Sequence, residues 1–151
     1  MAALSDVGTA PSGPAAELSV TLERLVALVR RLPPGVDLSL TTVSTLTLLE
    51  REGPLRLSDI AAREGVTQPG MTQLVTRLER DGYAQRRADP DDARVVRVGI
   101  TAAGRRMLAH RRATRATKLA DLMGALPAAD RDAIAAALPA LARLAEADIT
   151  V

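Results

Sequence analysis

Met71-Thr72-Gln73-Leu74-Val75-Thr76-Arg77-Leu78-Glu79-Arg80-Asp81-Gly82 is written as one helix, with its ends marked locally. Upstream, Thr67 has the side chain of an N-cap, and Pro69 falls in the first turn, where a missing N–H is tolerated. Gly82 follows the last periodic residue, as a C′ residue does. Met71, Leu74, Val75 and Leu78 recur at i, i+3, i+4 and i+7, a single apolar stripe for a core. At about 100° per residue the opposite side carries Pro69, Gln73, Thr76 and Arg80, flanked by Thr72 and Arg77. That side has no acid: Glu79 lies on its margin and Asp81 at its far end. Arg matches the edge of guanine and Gln that of adenine in a major groove, so this polar side suits base edges. On an isolated helix the same residues would serve equally as a solvated surface.

The neighbouring segments give the helix a context. Before it, Leu57, Ile60 and Ala61 share one face of a short helix that ends at Gly65, and a tight turn leads on, which is the spacing of a helix-turn-helix. After it, Tyr83 to Arg87 reads as extended. Arg94 to Ile100 alternates, with Val96, Val98 and Ile100 on one face and Val95, Arg97 and Gly99 on the other. Asp89-Pro90-Asp91-Asp92 between the two runs is turn chemistry. The result is a β-hairpin wing bearing Arg86, Arg87, Arg94 and Arg97, placed to lie along a minor groove or the phosphates.

Together these residues resemble the MarR family of bacterial winged-helix transcription regulators. The matching motifs are Leu57-Ser58-Asp59-Ile60-Ala61, Gly65-Val66-Thr67, Met71 through Gly82, Asp89-Pro90 with Asp92-Ala93-Arg94, and Ile100-Thr101-Ala102-Ala103-Gly104. The likeness is dense over about residues 40 to 110 and looser outside. One departure is Arg56, where such proteins often carry a Ser or Thr cap; the helix start is then expected to fray or to use Ser58. The resemblance implies double-stranded DNA as partner, a homodimer, and regulation that is usually repression, often relieved by a small anionic aromatic effector bound between the dimer region and the DNA-binding lobe. It also makes Arg94 the counterpart of the family's minor-groove arginine, oriented by Asp92. The DNA-binding candidates are Gln68, Pro69, Thr72, Gln73, Thr76 and Arg77 in the groove, Arg80 toward the backbone, and Arg86, Arg87 and Arg94 on the wing.

Composition limits the alternatives. A hydrophobic fraction of 47% over 151 residues supports a folded core, yet with one Tyr and no Phe or Trp that core must be aliphatic. The net charge of +2 hides a division: residues 51–118 hold 15 basic and 8 acidic side chains (+7), the remainder 5 and 10 (−5). A basic middle between acidic ends is what a nucleic-acid face in the middle would leave. The absence of cysteine excludes disulfides, thiolate metal sites and a thiol redox switch. A single His, His110, makes no metal site with others and is expected on a solvated helix face. No nucleophile-base signature or phosphate-cradling Gly-rich loop is visible, so no enzyme, metal or cofactor is expected. Neither a signal peptide nor an apolar run of membrane-spanning length is present, and a cytoplasmic location is expected.

Working outward, residues 1–14 read as a flexible tail and 15–38 as an N-terminal dimerisation helix with its stop at Pro33-Pro34-Gly35. Leu18, Leu22, Leu25 and Val29 form a heptad-like seam on it. Residues 39–104 form the winged lobe, opened by a helix to about Glu52 with Leu40, Val43, Leu46 and Leu49 expected inward. In the resemblance this helix bridges the two regions. Its hydroxyls, such as Thr42 and Thr45, are either tolerated surface residues or the lining of an effector cleft. Residues 105–151 form the C-terminal dimerisation helices: one runs on from the Thr101 cap to about Gly124, the last carries Leu138, Leu141 and Leu144 with Ile134, and Pro139 is expected to kink or divide it. The fold class is mainly α with a small β-hairpin wing, a winged helix-turn-helix lobe plus a helical dimerisation region. Two readings compete with a ligand-controlled regulator: a winged helix serving DNA architecture or protein contacts without an effector, and an enzyme, for which the sequence offers little material.

Overall fold

A computed structural model describes residues 12–32, 38–92 and 94–147. The chain order is α1 (Pro14–Arg31), α2 (Leu40–Glu52), β1 (Leu55–Arg56), α3 (Leu57–Arg63), α4 (Gln68–Arg80), β2 (Ala84–Ala88), β3 (Val96–Ile100), α5 (Ala102–Gly124) and α6 (Ala128–Ala145). Most of the tail expected at residues 1–14 and the stop expected at Pro33-Pro34-Gly35 lie outside the described residues.

The lobe is built where local signals and apolar period agree. Ser39 accepts the N–H of Thr42 to cap α2, and Thr67 and Thr101 accept those of Gly70 and Gly104 to cap α4 and α5. Gly65 and Gly82 take positive φ (62° and 77°) just past α3 and α4, a backbone region that favours glycine. The aliphatic core joins Leu46 and Leu49 of α2, Ile60 and Ala61 of α3, and Met71, Leu74, Val75 and Leu78 of α4. Ala84, Val98 and Ile100 of the sheet complete it with Met107 and Leu108 of α5. Each large aliphatic side chain buried there contributes about 1.5–3 kcal/mol. Four of them, on one stripe of α4, fix the rotation of that helix and hence which residues face away.

The sheet is antiparallel, in the order β1-β3-β2. Leu55 pairs with Val98 and Arg56 with Arg97 on one side of β3, while Ala84 to Ala88 pair with Ile100 to Val96 on the other. Burial along β3 does not alternate: Val98 and Ile100 are buried, but Val96 on the same face is 50% exposed, and Gly99 on the other face is buried. Val96 is the residue of β3 nearest the hairpin tip, whereas a Cβ at Gly99 would lie 3.4 Å from Cγ of Pro54, which covers that face.

Four further expectations are corrected. Arg56 is the N-cap of α3 without a side-chain cap bond, and Ser58 donates to Asp59 instead of capping. Leu40 is 45% exposed, because at about 100° per residue it falls on the side of α2 opposite Leu49, while Thr45, close to the Leu49 side, is fully buried. Thr45 therefore lines no open cleft, and its hydroxyl has no hydrogen-bond partner among the described residues. Finally, α6 passes through Pro139 undivided; at this exposed position the carbonyl freed by the missing donor is open to water.

Beyond the lobe, α1 and α6 contribute no buried residue. Leu22 (46%), Leu25 (48%), Leu138 (57%), Leu141 (41%) and Leu144 (52%) are exposed, while Leu18 and Val29 are partly covered. Among the described residues no helix is long and apolar enough to cross a membrane, and no group of His, Cys, Asp and Glu is placed to hold a metal ion.

Candidate nucleic-acid interface

With Met71, Leu74, Val75 and Leu78 buried, geometry leaves Gln68, Pro69, Thr72, Gln73, Thr76, Arg77 and Arg80 exposed along the other side of α4. Thr72 Oγ1 donates to the carbonyl of Gln68 (2.8 Å) and Thr76 Oγ1 to that of Thr72 (2.9 Å), so both hydroxyl protons are spent within the helix. Arg80 Nε donates to Asp81 Oδ1 at 3.1 Å, an exposed pair of little energetic weight. Arg77 has no ion pair among the described residues. It lines a cleft of about 240 Å³ with Ser39, which caps α2, Thr42 of α2, Leu74 and Asp81.

The wing is positioned by two acidic residues. Glu79, on the margin of α4, accepts the backbone N–H of Arg86 (2.9 Å) and forms a close ion pair with the Arg86 guanidinium. This contact pins β2 to α4. Arg86 and Arg87, equivalent in the sequence, are thereby separated: Arg86 faces α4, whereas Arg87 points the other way and has no ion pair among the described residues. Asp89 is the second anchor. It is buried, accepts the N–H of Asp91 (2.9 Å), pairs closely with Arg97 and donates its own N–H to the carbonyl of Val95 (2.8 Å). Its carboxyl is held below the usual carboxylate range chiefly by the Asp91 N–H, with the Arg97 hydrogen bond next and burial opposing. Arg97 also reaches the carbonyl of Pro54 (3.4 Å), tying the wing to the segment before β1. Arg97 and Arg87 sit directly opposite each other in the ladder, and Asp89 offsets the repulsion expected between them.

At the tip, Asp92 Oδ1 accepts both the backbone N–H (3.0 Å) and Nε (3.3 Å) of Arg94, whose side chain is 92% exposed. The guanidinium is thus oriented from behind while its outer edge stays free. Asp89, Glu79 and Arg97 were not among the candidate site residues. The Glu79 contact has no local sign, since it joins residues on different elements, but an acid with Arg eight residues on across a turn was a signal for Asp89 and Arg97.

Residues 38–96, the stretch holding α2, the helix-turn-helix and most of the wing, match the MarR family. An uncharacterized HTH-type transcriptional regulator of Mycobacterium bovis is 32% identical over 123 residues, covering 82% of this chain and 86% of that protein. The chain belongs to the MarR family. It is a MarR-type DNA-binding transcriptional regulator and not an enzyme. The fold recurs in a mutant of S. aureus MepR bound to an oligodeoxyribonucleotide (TM-score 0.63, 19% identity, 87% of this chain and 98% of that one). It recurs again in Bordetella bronchiseptica BpsR, whose DNA binding is regulated by 6-hydroxynicotinic acid (TM-score 0.60, 23% identity, 93% and 98%).

Proposed function

We propose that this MarR protein is a homodimeric repressor that reads a pseudo-palindromic operator with α4 and the wing, and that a small aromatic anion releases it. The observation that carries this reading is a division of surfaces. One side of α4, from Gln68 to Arg80, is polar and acid-free, while α1 and α6 leave an aliphatic surface uncovered. The first surface suits a major groove, the second a copy of itself. In this reading α1 and the C-terminal helices form the dimerisation region, through Leu18, Leu22, Leu25, Val29, Leu138, Leu141 and Leu144. A two-fold pair presents two recognition helices about 34 Å apart, one turn of DNA. Gln68, Thr72, Gln73, Thr76 and Arg77 face bases, with Pro69 in the first turn; Arg80, Arg86 and Arg87 serve phosphates and Arg94 the minor groove. Arg86 does so least, because Glu79 already engages it.

For the effector, the cleft beside Arg77 is the favoured place: it offers one guanidinium, the mutually bonded hydroxyls of Ser39 and Thr42, and an apolar floor from Leu74, while the Asp81 carboxylate that also lines it is engaged by Arg80. A ligand there would touch α2 and α4 together. Because Arg77 also faces the bases in this reading, such a ligand releases DNA by occupying that guanidinium or by preferring the arrangement in which the two recognition helices are mis-spaced. Regulation of BpsR by an aromatic acid supports this chemistry.

Sedimentation at micromolar concentration tests the assembly. The wild type is expected as a dimer, and Leu22→Glu with Leu141→Glu as a monomer or unfolded chain without tight DNA binding; a wild-type monomer would refute the dimer. Titration of the DNA complex with aromatic acids tests release. A panel without effect would favour an unregulated regulator.

A further inference from the structure

We infer that Thr72 and Thr76 read DNA through their methyl groups, so that the preferred half-site carries two thymines about two base steps apart, on either strand. The inference rests on the reading of α4 as the recognition helix and adds to it the identity of the bases.

It follows from where the hydroxyls point. Both threonines are exposed, yet each donates its only hydroxyl proton to the carbonyl one turn back: Thr72 to Gln68 at 2.8 Å and Thr76 to Thr72 at 2.9 Å. This is the back-bonded arrangement that helical threonine favours, with one staggered position holding the oxygen against the preceding turn. The two heavy atoms on a threonine Cβ occupy different staggered positions, so fixing the oxygen against the helix leaves the methyl group directed away from that carbonyl, out along the exposed face. Two residues that look polar in the sequence thus present two apolar spots. Residues four apart lie on one line of the helix surface, separated along the axis by about 6 Å. Bases on one DNA strand are about 3.4 Å apart along the axis, so the spots span about two steps. In a major groove the apolar group a base edge offers is the C5 methyl of thymine. Gln73 and Arg77, one residue on from each threonine, keep free side chains for adenine and guanine on the neighbouring line.

The rival within the same face is that the hydroxyl oxygens, which retain acceptor capacity, take a hydrogen bond from the amino group of adenine or cytosine. Substitutions separate the two. Serine keeps the hydroxyl and loses the methyl; valine does the reverse, with similar helix propensity.

The experiment selects a preferred duplex from random sequence with the full-length wild-type chain, then replaces each half-site thymine singly by deoxyuridine, which lacks only the C5 methyl. Two thymines about two steps apart should emerge, and each replacement should weaken the wild type roughly fourfold, the factor for burying one methyl-sized group. Thr72→Ser should lose the distinction between thymine and uracil at one position and Thr76→Ser at the other, whereas Thr72→Val and Thr76→Val should retain it. Circular dichroism of each variant checks that α4 is intact. Deoxyuridine without effect at every position, or valine variants that lose the distinction while serine variants keep it, would overturn the methyl assignment while leaving the operator reading in place. Failure to enrich any sequence would overturn that operator reading, and this inference with it.

Discussion

Replacing Gly104 by alanine is expected to destabilise the lobe, although alanine is the better helix former. Gly104 lies in the first turn of α5, where that helix crosses the end of the helix-turn-helix. A Cβ there would sit 2.4 Å from the carbonyl oxygen of Tyr83 and 2.7 Å from Cγ1 of Ile100, well inside van der Waals contact. Neither neighbour can move freely. The Tyr83 carbonyl accepts the N–H of Thr101 (3.0 Å), and Ile100 is buried in the core. Overpacking of this kind costs about 1–3 kcal/mol, and a backbone obstacle places it toward the upper end. Helix propensity returns about 1 kcal/mol, leaving a net loss of about 1–2 kcal/mol. For a chain of this length that is a fall in Tm of roughly 2–8 °C. Thermal unfolding at fixed chain concentration measures it, the concentration mattering because a dimer's Tm depends on it. A Tm equal to or above that of the wild type would refute the packing described for this junction.

Three further outcomes follow from the candidate interface. Arg94→Ala should weaken operator binding by about 1–3 kcal/mol with Tm unchanged; equal affinity at physiological salt would remove Arg94 from the interface. Gln73→Ala should change which sequence is preferred, whereas Arg80→Ala should weaken all sequences alike and flatten the salt dependence; an unaltered preference in Gln73→Ala would mean that α4 is rotated differently against DNA. Because the Asp89 carboxyl is held below the usual carboxylate range in the folded protein, its contribution is complete above that range and is lost as pH falls through the lower, folded value. Asp89→Asn should therefore flatten the acid limb of the stability profile below about pH 4, and a limb as steep as in the wild type would show that Asp89 does not carry it.

What was legible in the sequence divides along the range of the interactions. Thr67, the Met71 stripe and Gly82 are local signals that agree with one another, and α4 lies where they put it with the expected side buried. The hairpin was legible from the Asp89-Pro90 turn, and the exposed tip residue Arg94 from the turn plus resemblance. β1, at two residues, has no period to detect and exists only because Leu55 and Arg56 find Val98 and Arg97. The division of labour between Arg86 and Arg87 depends on Glu79 lying across from one and not the other. Thr45 could not be told from Thr42 by type; only the packing of α2 buries the first and leaves the second on a cleft.

The most direct test of the central claim is selection of genomic fragments bound by the full-length chain, followed by sequencing. The predicted result is a recurring inverted repeat whose half-sites lie about one helical turn, 10–10.5 base pairs, apart. Enrichment of single half-sites without symmetry would contradict a dimer with two recognition helices, and binding without any recurring sequence would contradict base reading by α4.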